Sequence, residues 1–202
     1  MSAPSFPTQA DIPGYDYGTQ SLPRSPVSLD ELRSLEQAAG LTSEDKEWLR
    51  RAGESLVPNA ERVVDSWRAV IASQPELARV FFDPDGKPDE AYKAAVKKRF
   101  VQWVIDACER PHDQAWLDYQ EEIGRRHTPA KKNQTDHAHT PPAVPLRYLI
   151  AFSAITATTI RPFLEQSGRS PADVQKMHDA WIKSMLLHLA LWTRPYVPDG
   201  LW

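Results

Sequence analysis

The chain has 202 residues, enough for one domain with a substantial buried core. Its 24 basic and 27 acidic residues leave a formal net charge of −3, which argues against nucleic acid or an anionic membrane as a partner. The longest apolar run near the C-terminus, Met185 to Trp192, is too short and too polar to span a bilayer. The N-terminus lacks the basic start and apolar core of a signal peptide, so the cytoplasm is the expected compartment. Cys108 is the single cysteine, which excludes an intrachain disulfide framework.

Residues 1–27 carry Pro4, Pro7, Pro13, Pro23 and Pro26 with Gly14 and Gly18, so little regular structure is expected there. Phe6, Ile12, Tyr15 and Tyr17 nevertheless give this arm enough apolar surface to pack onto the domain that follows, over a cavity if one exists. Ser28 and Glu31 form a capping box that opens a helix to about Ala39, and Gly40 ends it. Thr42 and Asp45 open the next, and after Pro58 the stripe Val63, Val64, Trp67, Val70 and Ile71 marks a helix to about Ala72. Ser73 and Glu76 start a short helix ending at Phe81 and Phe82, and Asp83 to Pro88 is a turn.

From Pro88, Tyr92, Val96, Phe100, Trp103 and Val104 stripe a long helix to about Cys108. Trp116 to Lys132 then reads as an amphipathic helix that ends at His127, with Pro129 as its stop. Residues 128–145 form the main loop, Leu146 to Glu165 a strongly apolar helix disturbed near Pro162, and Ser170 caps a last helix to about Trp192. No alternating strand pattern or internal repeat is present, and roughly seven to nine helices in one all-α domain follow.

Trp116, Gln120, Ile123 and His127 share one helical face, so His127 ends an inward stripe. Such a histidine either bonds the last carbonyls of its helix or serves as a cofactor ligand. His188, inside an apolar run, reads as a core or interface histidine, and His137 with His139 as part of a solvated loop. Cys108 reads as a small buried residue; with His112 it makes no catalytic dyad for want of an orienting third group. Asp118, Glu121 and Glu122 read as a solvated acidic face. Lys97, Lys98, Arg99, Arg125 and Arg126 read either as a solvated basic face or as partners for an anionic group.

Several segments carry a resemblance through the whole chain in order. They are IPGYDYG (Ile12 to Gly18), DSW (Asp65 to Trp67), VKKRF (Val96 to Phe100), AWLDYQEEIGRRH (Ala115 to His127), KKNQTD (Lys131 to Asp136), RYLIAF (Arg147 to Phe152) and ALWTRPY (Ala190 to Tyr196). In these the chain resembles the protoglobins, single-domain relatives of the globin domain in globin-coupled sensors. The resemblance implies a globin-like helical sandwich over residues 28–202 with an additional N-terminal segment, residues 1–27, holding haem b noncovalently. It places His127 as the proximal iron ligand, Trp67 and Phe100 as distal aromatics, and Val96, Leu149 and Phe152 along the pocket. Arg99 falls near where a propionate would be met, and a homodimer through the two C-terminal long helices is implied.

Two departures from that pattern bear on ligand choice. Arg68 stands where the family usually has tyrosine, and a guanidinium pointing inward would favour an anionic or strongly polarised ligand. The small residues between Phe152 and Thr156 open space as well. The expected function is reversible binding of dioxygen, carbon monoxide and nitric oxide, for gas binding or sensing. One alternative is a haem enzyme on the same pocket, with peroxidase-like, nitrite or nitric oxide chemistry or engineered carbene transfer; no reductase or flavin motif supports it. The other is a helical interaction module without haem.

Overall fold

Nine α-helices and three short 3-10 turns carry the described part of this computed structural model, residues 12–198 and 200–202. Pro4, Phe6 and Pro7 lie outside the described residues. The helices are α1 (Leu29–Ala38), α2 (Ser43–Leu56), α3 (Ala60–Ser73), α4 (Pro75–Ala78), α5 (Glu90–Glu109), α6 (Gln114–Arg125), α7 (Leu146–Thr158), α8 (Arg161–Glu165) and α9 (Pro171–Thr193). Local chemistry sets most of the starts. The Ser28 hydroxyl accepts from Glu31 N–H while the Glu31 carboxylate accepts from Ser28 N–H, and Thr42 and Asp45 repeat the exchange at α2. Asp89, Asp113 and Ser170 cap α5, α6 and α9, each accepting a backbone N–H from the first turn.

Three expectations change. The apolar stretch from Leu146 to Glu165 is two helices, broken at Thr159 and Ile160. Pro162 has no N–H to donate and its ring would crowd the carbonyl four residues back, so α8 restarts with the proline in its first turn. The stretch from Trp116 to Lys132 is not one helix either: α6 begins after Asp113 and ends at Arg125, so His127 follows the helix in a tightened turn, its N–H donating to Gly124 O at 3.0 Å. The acidic face is not solvated, because Glu122 is 1% exposed and Glu121 8%. Glu122 pairs with Arg126 and Lys131, both at 2.6 Å, and Glu121 pairs with Arg194 at 3.2 Å.

The core gathers around α9, which packs on α2, α6, α7 and α8, while α2 and α3 pack on α5. Trp67, Trp116 and Trp181 are all essentially sealed from solvent within it. Gly124 decides how closely α6 can approach the end of α9. A Cβ there would lie 3.1 Å from the Trp192 Cα and carbonyl oxygen and 3.1 Å from Pro195 Cγ. Backbone atoms cannot turn aside as a flexible side chain can, so Gly124→Ala must push the two helices apart. It should lower stability by about 1–3 kcal/mol, read as a lower urea midpoint with an unchanged denaturant slope.

Candidate functional site

A cavity of about 230 Å³ opens between α5, the end of α6, α7 and α9. Val96, Phe100, Trp103, Leu149 and Phe152 make its apolar walls, with Ile71 from α3 closing one side. His127 faces the same space. Its Nδ1 lies 2.8 Å from the Ile123 carbonyl oxygen, one turn back on α6. A carbonyl can only accept, so Nδ1 carries the proton and Nε2 keeps its lone pair. Burial lowers the imidazole's pKa, the Ile123 bond opposes that, and the charges of Lys132 and Arg126 add to the lowering. The ring stacks beside Trp192, centroids 6.1 Å apart and planes 22° from parallel. The His127 carbonyl accepts from Val144 N–H at 2.8 Å and has the Tyr196 hydroxyl at 3.0 Å, which holds the residue from the backbone side.

Of the residues singled out in the sequence, His127, Val96, Arg99, Phe100, Leu149 and Phe152 meet on this cavity, whereas Trp67 and Arg68 do not line it. Trp67 lies behind Phe100, ring centroids 5.2 Å apart, and its indole N–H donates to the Thr159 hydroxyl at 2.7 Å. Arg68 turns away from the space: its Nη1 donates to the Lys93 carbonyl at 2.8 Å. Arg99 binds both Asp136 oxygens, at 2.9 and 2.6 Å, and donates to the Pro13 carbonyl at 2.8 Å.

That last bond joins the arm to the cavity's rim. Arg126 makes a second joint, donating to the Gly14 carbonyl at 2.6 Å, to Asp16 at 2.9 Å and to Glu122 at 2.6 Å. Gly14 has φ +76°, and a Cβ on it would fall 2.6 Å from Arg99 Nη1 and 2.8 Å from Thr135 Cγ2. Only glycine suits both the conformation and the approach. Tyr15 reaches further, its hydroxyl donating to the buried Asp106 at 2.7 Å. Burial pushes the Asp106 carboxyl up against bonds from Gln102, Tyr15 and Arg110 that hold it down.

Lys132 is the residue that sequence reasoning missed. It lines the cavity at 2% exposure, and its ammonium donates to the Val80 carbonyl at 2.9 Å and the Thr140 hydroxyl at 2.6 Å. Its bonds among the described residues all go to neutral oxygens, and burial lowers its pKa to about 8. Two further lining residues, Trp103 and Thr135, have a buried polar atom without a partner among the described residues, the indole N–H and the hydroxyl. Orphaned polar atoms on a cavity wall suit a site built for a guest. A lysine in a polar loop gives no sign of burial; only the quoted KKNQTD segment marked the place.

A neutral imidazole beside an aromatic slot in an all-helical domain is what a globin-type haem protein needs, and the family match supports that class. The protoglobin family model matches residues 28–202, and the chain belongs to that family. Among solved structures it is similar to the globin domain of the Geobacter sulfurreducens globin-coupled sensor, with a TM-score of 0.65 at 14% identity over 82% of this chain and 97% of that one. That likeness speaks for the fold alone. No curated protein matches the chain. No helix among the described residues is long and apolar enough to cross a membrane. The family implies a haem cofactor, and the residues present fit one: His127 Nε2 would hold the iron, the aromatic walls would flank the ring, and Lys132, bonded only to neutral oxygens, would offer its charge to a carboxylate.

Two histidines whose pKa values are lowered in the fold make stability depend on pH. Burial, aided by the charge of His112, lowers the pKa of His188 from 6.5 to about 3, and His127 is lowered in the same direction. The unfolded chain takes up these protons near pH 6.5 and the folded one does not. Stability present above pH 6.5 is therefore lost progressively as pH falls towards 3. At pH 5 the His188 share of the loss is about 2 kcal/mol. Urea titrations at pH 7 and pH 5 should show His188→Leu losing less stability between the two than wild type does.

Proposed function

We propose that the protein binds haem b through His127 Nε2 and takes up dioxygen, carbon monoxide and nitric oxide reversibly, for gas binding or sensing. The observation that carries this reading is the His127 imidazole on the cavity wall, neutral and tied at Nδ1 to Ile123, with Nε2 unbonded among the described residues. The haem would supply an iron able to bind a gas reversibly. The chain supplies the rest. His127 holds the metal and its Ile123 bond fixes the ring's orientation. Val96, Phe100, Leu149 and Phe152 keep the slot apolar and dry, and Lys132 with Arg99 offers positive charge to the carboxylates.

Ligand choice follows from the direction of Arg68. With its guanidinium bonded to the Lys93 carbonyl, α3 sends no charged donor into the cavity, so a neutral, weakly polarised gas is favoured over an anion. Exposed Ile150 on α7 and Leu186 on α9, 47% and 54% accessible, support pairing of two copies across these helices.

Absorption spectra of wild type and His127→Ala, oxidised, reduced and reduced under carbon monoxide, test the reading. Wild type should show a Soret band that shifts with carbon monoxide, and the variant should bind haem more weakly or change its coordination. A colourless protein that takes up no added haem, or identical spectra for the two, would sink it. Arg68→Leu should change carbon monoxide affinity by no more than about threefold, under about 0.7 kcal/mol, in flash photolysis and equilibrium titration. A larger change would mean that the guanidinium works inside the pocket.

A further inference from the structure

From the cavity wall at Trp192 and Trp103 a connected array of indoles runs back through Trp181 and Trp67, which do not line the cavity. Trp192 stacks on His127 with centroids 6.1 Å apart, and Trp103 follows at 5.4 Å from Trp192. Trp181 is 6.1 Å and Trp67 6.2 Å from Trp103, and those two are 6.4 Å from each other. Trp103, Trp181 and Trp67 are buried, at 5%, 0% and 1% exposure. The far end meets solvent through the exposed Thr159, whose hydroxyl accepts the Trp67 indole N–H. Hydrophobic packing needs large side chains here, but it does not need four indoles in ring contact from the imidazole to the surface.

The hydrogen bonds of the array matter as much as its spacing. An indole that loses an electron becomes strongly acidic and is trapped if a base takes its proton. Trp192 donates to the Gln120 amide oxygen, Trp181 to the Thr156 carbonyl and Trp67 to the Thr159 hydroxyl, at 2.9, 2.9 and 2.7 Å. The Trp103 N–H has no partner among the described residues. None of these is a base that would keep the proton. Trp48, outside the array, donates instead to the Glu44 carboxylate at 3.1 Å. The array's hydrogen bonds therefore do not trap a missing electron.

We infer that Trp192, Trp103, Trp181 and Trp67 form a one-electron relay from the surface at Thr159 to the His127 side of the pocket, by which hydrogen peroxide is reduced at the expense of a small reductant such as ascorbate. The inference rests on the haem reading. Hydrogen peroxide takes up two electrons and two protons, its O–O bond breaks, and two waters form. Trp192 passes each electron towards the pocket and is refilled through Trp103 from Trp181 and Trp67. Two ascorbate monoanions, arriving one at a time, each give up one electron and one proton and leave as ascorbyl radicals, which closes the balance. Tryptophans here are positioning and conducting groups and take no part in bond making.

The test uses haem-loaded protein mixed with hydrogen peroxide and frozen for electron paramagnetic resonance, with oxidised residues mapped by mass spectrometry when no reductant is added. Wild type should show a tryptophan radical, and oxidation should fall on the buried array rather than on Trp202, which is 40% exposed. Trp192→Phe should lose most of that radical and oxidise ascorbate severalfold more slowly per haem. Trp181→Phe, whose side chain does not line the cavity, should keep the carbon monoxide spectrum and still lower the radical yield. A Soret band that responds to carbon monoxide but gives no protein radical overturns the relay alone. So does oxidation that follows exposure, or a Trp192→Phe protein that behaves as wild type. Failure to take up haem overturns the reading beneath it.

Discussion

The hydrogen bond from His127 Nδ1 to the Ile123 carbonyl is the constraint on which the site depends. It uses a carbonyl that the end of α6 would otherwise leave to solvent, and it decides which nitrogen holds the proton. Burial keeps the ring neutral, so the second nitrogen faces the cavity as a base. The bond requires α6 to stop just before the histidine, and the close seat of Gly124 against Trp192 sets how α6 meets α9. Moving either helix would turn the imidazole out of the slot.

Charge holds the opposite rim. Arg99 and Arg126 are each tied to a carboxylate and also to a carbonyl of the arm, so two side chains connect three separated parts of the chain. Buried cations of this kind are stable only while their partners stay in place. Glu122 shows the balance: burial works to raise its pKa, but the Arg126 and Lys131 charges prevail and hold the carboxyl below its ordinary range. The arm is thereby coupled to the same residues that face the cavity. Lys132 is the exception, a buried ammonium bonded only to neutral oxygens, where an anion from a bound guest would be welcome.

The helical plan was readable in the sequence because its signals are local. Capping boxes at Ser28 and Thr42, the proline at Pro171 and the stripes through α3 and α5 act within a few residues. Errors arose where distant groups intervened. The Asp118 to Glu122 face reads as solvated until Arg194, Lys131 and the arm are folded over it. The break after Thr158 was signalled by Pro162, but its completeness depends on how α8 settles against α9. The spacing of Trp116, Gln120, Ile123 and His127 marked the inward face correctly even though the helix ends earlier than it suggests.

By itself the sequence determined an all-helical domain and the family to which it belongs, and it put His127 at the end of an inward-facing stripe. Helix periodicity and a long specific motif carry that much, since both are written in residue order. The tertiary structure alone decided that Arg68 leans on Lys93 rather than into the pocket, that Lys132 is buried, and that Trp67, Trp103, Trp181 and Trp192 touch. Side-chain direction and burial depend on what other helices place nearby, and spacing along a single helix cannot report the position of its neighbours.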